Sequence, residues 1–465
     1  MIMKKLIGTK KFYKKVAFIA LPIMIQNGIT NFVNLLDNIM IGRVGTEQMS
    51  GVSIVNQFLF VMLLCLFGIV SGAGILGAQY YGKRDIEGVR NVMRIKLVIS
   101  FTVMALAVVA LILFDDTLIG LYLKDGSDVG DLAATLEHGK TYLAIMLFGL
   151  PPLAVEMSYS STLRESGETR VPMVASMIAI LINLGLNYVL IFGKLGAPEL
   201  GVAGAAIATV ISRYVQVTLV IVYSHTHTKK NPYFAGLYRH FGFPGKLFGK
   251  VIVLSAPLML NETLWAAGTA AVNTCYAERG LSVVAAINIE STVYNIVNFV
   301  FIAMGDALAI VVGQQLGAGE IEEAKESATK IIVLDVLCAA GGALIMFGLS
   351  WVFPDFFNTY DEVKDIARTI IRLTALFMPI HGLLHALYFA IRSGGKTLIT
   401  FLFDSAYLWA IVFPVGYVLS HFTGLSIALL FVCCQALDIF KVIAGLLIYR
   451  SGIWARSLTQ ESVSE

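Results

Sequence analysis

Several ionisable side chains of this 465-residue chain stand inside long apolar runs, where their chemistry is restricted. An acid at mid-membrane costs about 2.5–3.5 kcal/mol on the insertion scale, so each one asks for a reason. Glu262 lies near the middle of its run, between Asn261 and Thr263. Such a carboxylate can hold a proton or coordinate sodium, or it can make an interhelical hydrogen bond that fixes packing. Asp37, four residues from the end of another run, has the same options, or is simply solvated near the interface. Asn183 and Asn187, four apart, share one helical face and could ligate a cation, join Asp37 in a hydrogen-bond network, or act as interhelical glue. Asp404 could line a cavity or pair with a basic residue. His381 and His385, also four apart, could relay protons near neutral pH or hydrogen-bond within a bundle. Trp265, Tyr276, Tyr294 and Phe299 could hold a cationic group against their π-faces, although aromatic rings in membranes commonly just pack. Asp306 stands between Gly305 and Ala307, small residues that let helices approach or a ligand enter. Glu156, Glu290, Asp335 and Asp438 are of second rank; Asp438 and Lys441 are spaced as a local pair, and Arg213 is available to neutralise one of the acids.

The elements that must position these groups follow from composition. The chain is 57% apolar and 14% charged, with a mean hydropathy of +0.79, well beyond what a soluble core accommodates. Apolar runs at 16–41, 52–80, 93–114, 138–161, 171–193 and 201–223 make one set. Runs at 250–276, 283–313, 328–353, 367–391, 398–420 and 424–449 make a second. The expected fold is an all-α polytopic membrane protein with twelve transmembrane helices, leaving no room for a sizeable soluble domain. The five cysteines lie in apolar runs without metal-ligand spacing and read as free packing thiols. No metal site is expected from the closely spaced His225, His227 and His240.

Charge sets the orientation. Six lysines precede the first run, which reads as a retained helix and not a signal peptide. Further basic residues on that side include Arg90, Arg94, Lys96, Arg164, Lys229, Lys230, Arg392, Lys441 and Arg450, whereas the other side carries Asp115, Asp116, Asp125, Asp128 and Asp131. Both termini are therefore expected in the cytoplasm. The acidic stretch 314–327 goes against the pattern.

A shift of 235 residues aligns the chain with itself, pairing Pro22 with Pro257, Asn38 with Asn273, Gln79 with Gln314 and Gly82 with Gly317. A shift of 228 pairs Arg164 with Arg392, Gly167 with Gly395 and Thr169 with Thr397. Six spans per half give two pseudo-symmetric six-helix bundles around a central cavity, an architecture of secondary transporters. The expected parts are a cytoplasmic segment 1–15, an N-lobe 16–223, a cytoplasmic linker 224–249, a C-lobe 250–449 and a tail 450–465.

The punctuating residues resemble those of the multidrug and toxic compound extrusion (MATE) transporters, prokaryotic type. They include Pro22, Gln26, Asp37, Gly42 and Gly45, then Gly77 to Gly82, and in the second half Pro257, Asn261, Glu262, Trp265 and Val312 to Gly319. The strings Arg164-Glu-Ser-Gly-Glu-Thr169 and Arg392-Ser-Gly-Gly-Lys-Thr397 are similar to the family's Arg-x-x-Gly-x-Thr turn. The resemblance covers about 15–450 and implies export of amphipathic organic cations or related toxic compounds in exchange for sodium ions or protons, by alternating access of two lobes. It implies cation coupling at Glu262 and Asp37, either of which could form a sodium site. The Asp404, Trp409, Pro414 spacing is similar to that of a bacterial subset. His381 stands where the sodium-coupled pattern has an aspartate, so the coupling ion is left open between proton and sodium.

Taken together, cation coupling is expected at Asp37, Glu262, Asp404, His381, His385, Asn183 and Asn187, and substrate contact at Glu262, Trp265, Asp306, Tyr294 and Phe299. A monomer in a prokaryotic plasma membrane is expected, with no cofactor and no nucleic-acid partner. The alternative is a flippase for lipids or lipid-linked oligosaccharides, whose cavity would carry Lys and Arg where this chain mostly carries acids. A membrane enzyme is disfavoured because the chain has no nucleophile motif, metal motif or nucleotide loop.

Overall fold

The computed structural model describes residues 6–120, 132–240 and 242–460. Lys4, Lys5 and the loop acids Asp125, Asp128 and Asp131 lie outside the described residues, as do the side chains of Asn34, Asn38, Asp115 and Asp116. Among the described residues the chain is all helical, with no strand. The first helices are α1 (Lys10–Gly42), α2 (Thr46–Gly82), α3 (Ile86–Gly120), α4 (Leu132–Leu147), α5 (Leu150–Glu165), α6 (Arg170–Ile191) and α7 (Gly201–Thr226). They are followed by α8 (Gly245–Ala277), α9 (Leu281–Ala318), α10 (Ile321–Leu349), α11 (Asp361–Ser393), α12 (Thr397–Phe422) and α13 (Ile427–Ser451). Eleven are long and apolar enough to cross a membrane, and twelve spans result when α4 and α5, bent by 48°, count as one. The bend falls where Pro151 and Pro152 begin α5, because proline has no N–H to return to the preceding turn.

Helices outrun the apolar segments because a helix stops where its backbone can turn, not where hydropathy falls. Gly167 and Gly395, aligned by the 228-residue shift, take positive φ of 88° and 78° after α5 and α11. An L side chain is strained there, which accounts for the glycine of each Arg-x-x-Gly-x-Thr turn.

α12 departs from an ordinary span. It contains two π-helical stretches, Leu402–Ala406 and Leu408–Val412. Ser405 sends its amide N–H to Asn261 Oδ1 (3.2 Å) and its hydroxyl to the Asn261 carbonyl (2.7 Å), so α8 takes a donor that the regular ladder would use. Pro414, just beyond, supplies no amide to the turn before it.

The chain separates into two compact units. One holds Ile25–Gly77 and Ile86–Ile252, with Val55, Leu66, Leu150, Ala154 and Ala206 in its core. Two residues expected on a basic rim are buried in it. Lys96 is wholly enclosed, its Nζ donating to Glu165 Oε1 (2.5 Å), Ser161 Oγ (3.1 Å) and Thr162 Oγ1 (3.2 Å). Arg94 donates to the carbonyls of Leu237 (2.9 Å) and Gly236 (3.2 Å), while Arg90 reaches those of Tyr233 and Pro232. These guanidinium forks bind carbonyls of a short 3-10 turn, Pro232–Phe234, and of the two residues Gly236 and Leu237 just after it, and the linker is docked there with Tyr233 and Phe234 buried. Nearby, the Glu168 carboxylate 2.8 Å from Lys230 holds that ammonium above its usual range.

The other unit holds Val253 onward, the chain up to Met24, and Ala78–Asp85. Val293, Ile370, Ile371, Met378 and Leu430 are in its core. Here the last turn of α2 crosses the end of α9. A Cβ on Gly82 would collide with the Gln314 carbonyl, and one on Gly317 with the Gln79 carbonyl, so the two segments that the 235-residue shift aligns meet backbone to backbone, each glycine against the other segment's glutamine. Gln79 is fully buried and its amide is used at both ends. It donates to the carbonyls of Ser393 (3.1 Å) and Arg456 (3.4 Å) and accepts from the Leu458 amide (2.7 Å). Lys83 Nζ adds a bond to the Thr459 carbonyl (2.9 Å), and Trp454 and Thr459 are buried in the same packing.

Two outcomes follow for thermal unfolding of the detergent-solubilised protein. Gly82→Ala and Gly317→Ala should each lower stability by about 1–3 kcal/mol through overpacking, while Gly341→Ala, which meets nothing within 4 Å, should not lower it. Lys96→Met should cost about 3–5 kcal/mol by stranding Glu165, and adding Glu165→Gln should recover much of that loss.

Candidate functional site

The first cluster is built on α1, α6 and α7. Positions 183 and 187 of α6 fall on successive turns of one face, and both asparagines are buried. Asn187 Nδ2 donates to Asp37 Oδ1 (2.8 Å) and to Asn183 Oδ1 (3.2 Å), and Asn183 Nδ2 donates to Thr209 Oγ1 (3.3 Å). The structure therefore joins Asp37, Asn183 and Asn187 in one chain of hydrogen bonds. Asn187 Oδ1 is buried without a partner among the described residues, leaving an acceptor next to the carboxylate. In the same unit Glu156 accepts from Ser160 Oγ (2.6 Å) and Gln216 Nε2 (3.0 Å), and Arg213 donates to the Gly149 carbonyl (3.2 Å).

The second cluster spans α8, α11, α12 and α13. Glu262 is half-buried on α8 and accepts from the Tyr388 hydroxyl at 3.4 Å. Its neighbour Asn261 donates to Tyr388 Oη (3.3 Å) and to Asp404 Oδ2 (3.1 Å), which links the two acids through the Asn261 amide and the Tyr388 hydroxyl. Asp404 is also held by Lys441 Nζ at 2.6 Å. The local pairing of Asp438 with Lys441 gives way to this bond, and Lys441 stands in the interior and not on a basic rim. Arg392, expected on the same rim, is buried with its guanidinium 4.3 Å from the Phe389 ring centroid and 5.5 Å from that of Tyr388. The electrostatic field at Glu262 is set by Arg392, Asp404 and Asp306.

The two histidines of α11 face different surroundings. His381 Nε2 lies 3.5 Å from Asp438 Oδ2, and its ring meets Tyr294 edge-on at 6.3 Å. His385 packs among Phe301, Tyr388 and Phe389, with ring centroids 5.9, 6.5 and 4.8 Å away. At Gly305 the room is filled by the Phe389 and His385 rings, so the small residues beside Asp306 serve close approach of α9 and α11. Trp265, one turn from Glu262, is 43% exposed, and Trp409 donates its indole N–H to the adjacent Leu264 carbonyl (2.9 Å). Phe299 is half-buried on α9, two residues before Phe301.

Tyr388, Asn261, Lys441 and Arg392 are the contributors that sequence reasoning left out of the site. Lys441 carried a usable signal: a lysine inside an apolar helix needs an acid as much as the reverse. Tyr388 carried none, since a tyrosine in a membrane helix is ordinary. Among the described residues no group of three or more His, Cys, Asp or Glu is placed to hold a metal ion, and all five cysteines are free.

The MatE family model matches residues 22–189 and again 257–418, well over half of the chain. The two matches begin at Pro22 and Pro257, a pair that the internal repeat aligns. A probable multidrug resistance protein, YoeA of Bacillus subtilis, is 24% identical over 417 residues, 89% of this chain and 88% of its own. The probable multidrug resistance protein NorM of Thermotoga maritima is 26% identical over 471 residues, 97% of this chain and 96% of its own. The crystal structure of MATE in complex with MaL6 superposes with a TM-score of 0.85 at 18% identity, covering 96% of this chain and 97% of that one. A variant of the Vibrio cholerae MATE transporter VcmN gives 0.84 at 20%, covering 95% and 97%. At these identities the structures establish the fold. On the two family-model matches, the chain belongs to the multidrug and toxic compound extrusion (MATE) family, whose members are membrane transporters and not enzymes.

Proposed function

We propose that this chain is a multidrug efflux antiporter that exports amphipathic organic cations or other toxic compounds in exchange for inward protons or sodium ions. Alternating access of its two halves, the lobes 16–223 and 250–449, carries the exchange. The observation that carries this reading is the balance of buried charge around Glu262. Glu262, Asp306 and Asp404 stand against Lys441 and Arg392, leaving room for added positive charge. A coupling ion or a cationic substrate supplies that charge. The multidrug resistance names of the relatives agree with it.

Within this reading Glu262 is the carrier in the second half and Asp37, steadied by Asn187 and Asn183, the carrier in the first. Asp404 and Lys441 hold Asn261 and thereby Glu262 in position. Trp265, Tyr294, Phe299 and Asp306 supply the cation-binding wall. The protein sits in a prokaryotic plasma membrane as a monomer, with both termini in the cytoplasm where Lys and Arg are retained.

Expression in a drug-sensitive bacterium lacking its own pumps should raise ethidium resistance severalfold. Glu262→Gln should abolish the increase at unchanged protein level, and full resistance in that variant would remove Glu262 from the mechanism. Asp37→Asn keeps an oxygen for Asn187 but loses the charge, so it should stay folded and lose at least about tenfold in transport, of order 1.4 kcal/mol or more. In proteoliposomes an imposed proton gradient and an imposed sodium gradient, applied separately, should show at least one driving ethidium uptake; failure of both would refute antiport.

A further inference from the structure

A cleft of about 730 Å³ lies where the linker passes the first turns of α3, and it shares no lining residue with either acid cluster described above. Its lining includes Glu87, Arg90 and Arg94 of α3 and Arg239, His240 and Phe243 of the linker, all within one compact unit. Three arginines thus stand beside a single acid.

The arginines are held in place without being neutralised. Arg94 gives its Nε–H to the Leu237 carbonyl and its Nη2 to that of Gly236, while its Nη1 reaches Glu87 (3.3 Å) and Asn91 (2.9 Å). Arg90 bonds Glu87 and the carbonyls of Tyr233 and Pro232. A carbonyl accepts a hydrogen bond but cancels no charge, and Glu87 cancels one. A guanidinium has five N–H groups, so among the described residues both side chains keep a donor unspent. Arg239 is exposed and pairs with no acid among the described residues. Its stem packs over Gly236, with Cδ 3.5 Å from where a Cβ would stand, so Arg239 and Arg94 converge on one residue. A cleft walled by one sign of charge concentrates ions of the other.

The internal repeat supplies a comparison. A shift of 235 residues carries Glu87 to Glu322 and Arg90 to Lys325, but Arg94 to Thr329. There Lys325 is paired with Glu322 (2.7 Å) and Lys330 with Glu326 (2.8 Å), and Glu320 and Glu323 add negative charge. A positive surplus is therefore no requirement of this helix start; it is particular to the first half.

Apolar surface adjoins the charge. Phe243 stacks on Phe248 with ring centroids 5.5 Å apart, and Ile86 and Ile252 are exposed. α3 and α8 then continue into the apolar runs that start at 93 and 250. A phosphate carrying hydrocarbon satisfies both parts, whereas a soluble phosphate uses only one, and basic pockets beside membrane helices take anionic headgroups. We propose that this cleft binds an anionic phospholipid, its phosphodiester held by Arg239 with the unspent donors of Arg90 and Arg94, and its acyl chains lying along α3 and α8. The site is separate from the acids of the antiport reading and stands whether or not that reading does.

The test reads lipid directly and needs no transport. Delipidated full-length protein in non-ionic detergent is titrated with dioleoyl phosphatidylglycerol, and bound lipid is followed by native mass spectrometry. Binding should be tighter than that of dioleoyl phosphatidylcholine and should weaken as salt is raised. Arg239→Gln, at an exposed position, should weaken it about fivefold, the worth of one basic side chain near an anionic headgroup. Glu87→Gln, which removes the one acid, should strengthen it, and Lys325→Gln, at the aligned position of the second half, should leave it unchanged. Thermal unfolding checks that each variant is folded. Equal binding of phosphatidylglycerol by the parent and Arg239→Gln, or equal binding of the two lipids, overturns the proposal. Inorganic phosphate in excess should compete only weakly, because it lacks hydrocarbon; if it displaces the lipid completely, the cleft is a soluble-phosphate site and the lipid assignment falls.

Discussion

A charge placed in hydrocarbon must be compensated within hydrogen-bonding reach, and much of this protein is arranged around that requirement. Lys96 is enclosed only because Glu165, Ser161 and Thr162 surround its ammonium, and Gly74 and Gly77 leave the space into which the Glu165 carboxylate fits. Asp404 accepts both Lys441 and Asn261, and the shape of α12 is adjusted so that Ser405 can answer Asn261 from the other side. The π-helical stretches of α12 are thus part of the same account as the buried acid beside them.

The compensation differs in kind between clusters. Lys96 with Glu165 is a closed, sterically boxed ion pair, which suits a structural role. Among the described residues Asp37 accepts from the Asn187 amide and Glu262 from the Tyr388 hydroxyl at 3.4 Å, and neither is in a salt bridge, Arg392 acting on Glu262 through its field alone. A group left in that condition responds to whatever positive charge reaches it. Stability and responsiveness are divided between residues of the same type by how completely their neighbours answer them.

Much of the architecture was legible in the sequence, since an apolar run of sufficient length in lipid can only be a helix. The union of Asp37 with Asn183 and Asn187 was legible as one option because a four-residue spacing fixes a shared helical face. Burial of Lys96, Arg94 and Arg392 was not. Each lies near the polar end of a run, where helix register, not hydropathy, decides whether a side chain meets water, and Glu165 is 69 residues from Lys96. Nor could α12 be read, because its irregularity depends on Asn261, 144 residues earlier.

The buried amide of Gln79 also imposes a timetable. Its partner at Leu458 is 379 residues away, so at a synthesis rate of about 5–20 residues per second it is made roughly 20–75 seconds later. Throughout that interval the last turn of α2 exists without the groups that complete it, although the rest of the helix is already embedded. Assembly of this helix is consequently split in time, its final turn being completed only once Leu458 has been made.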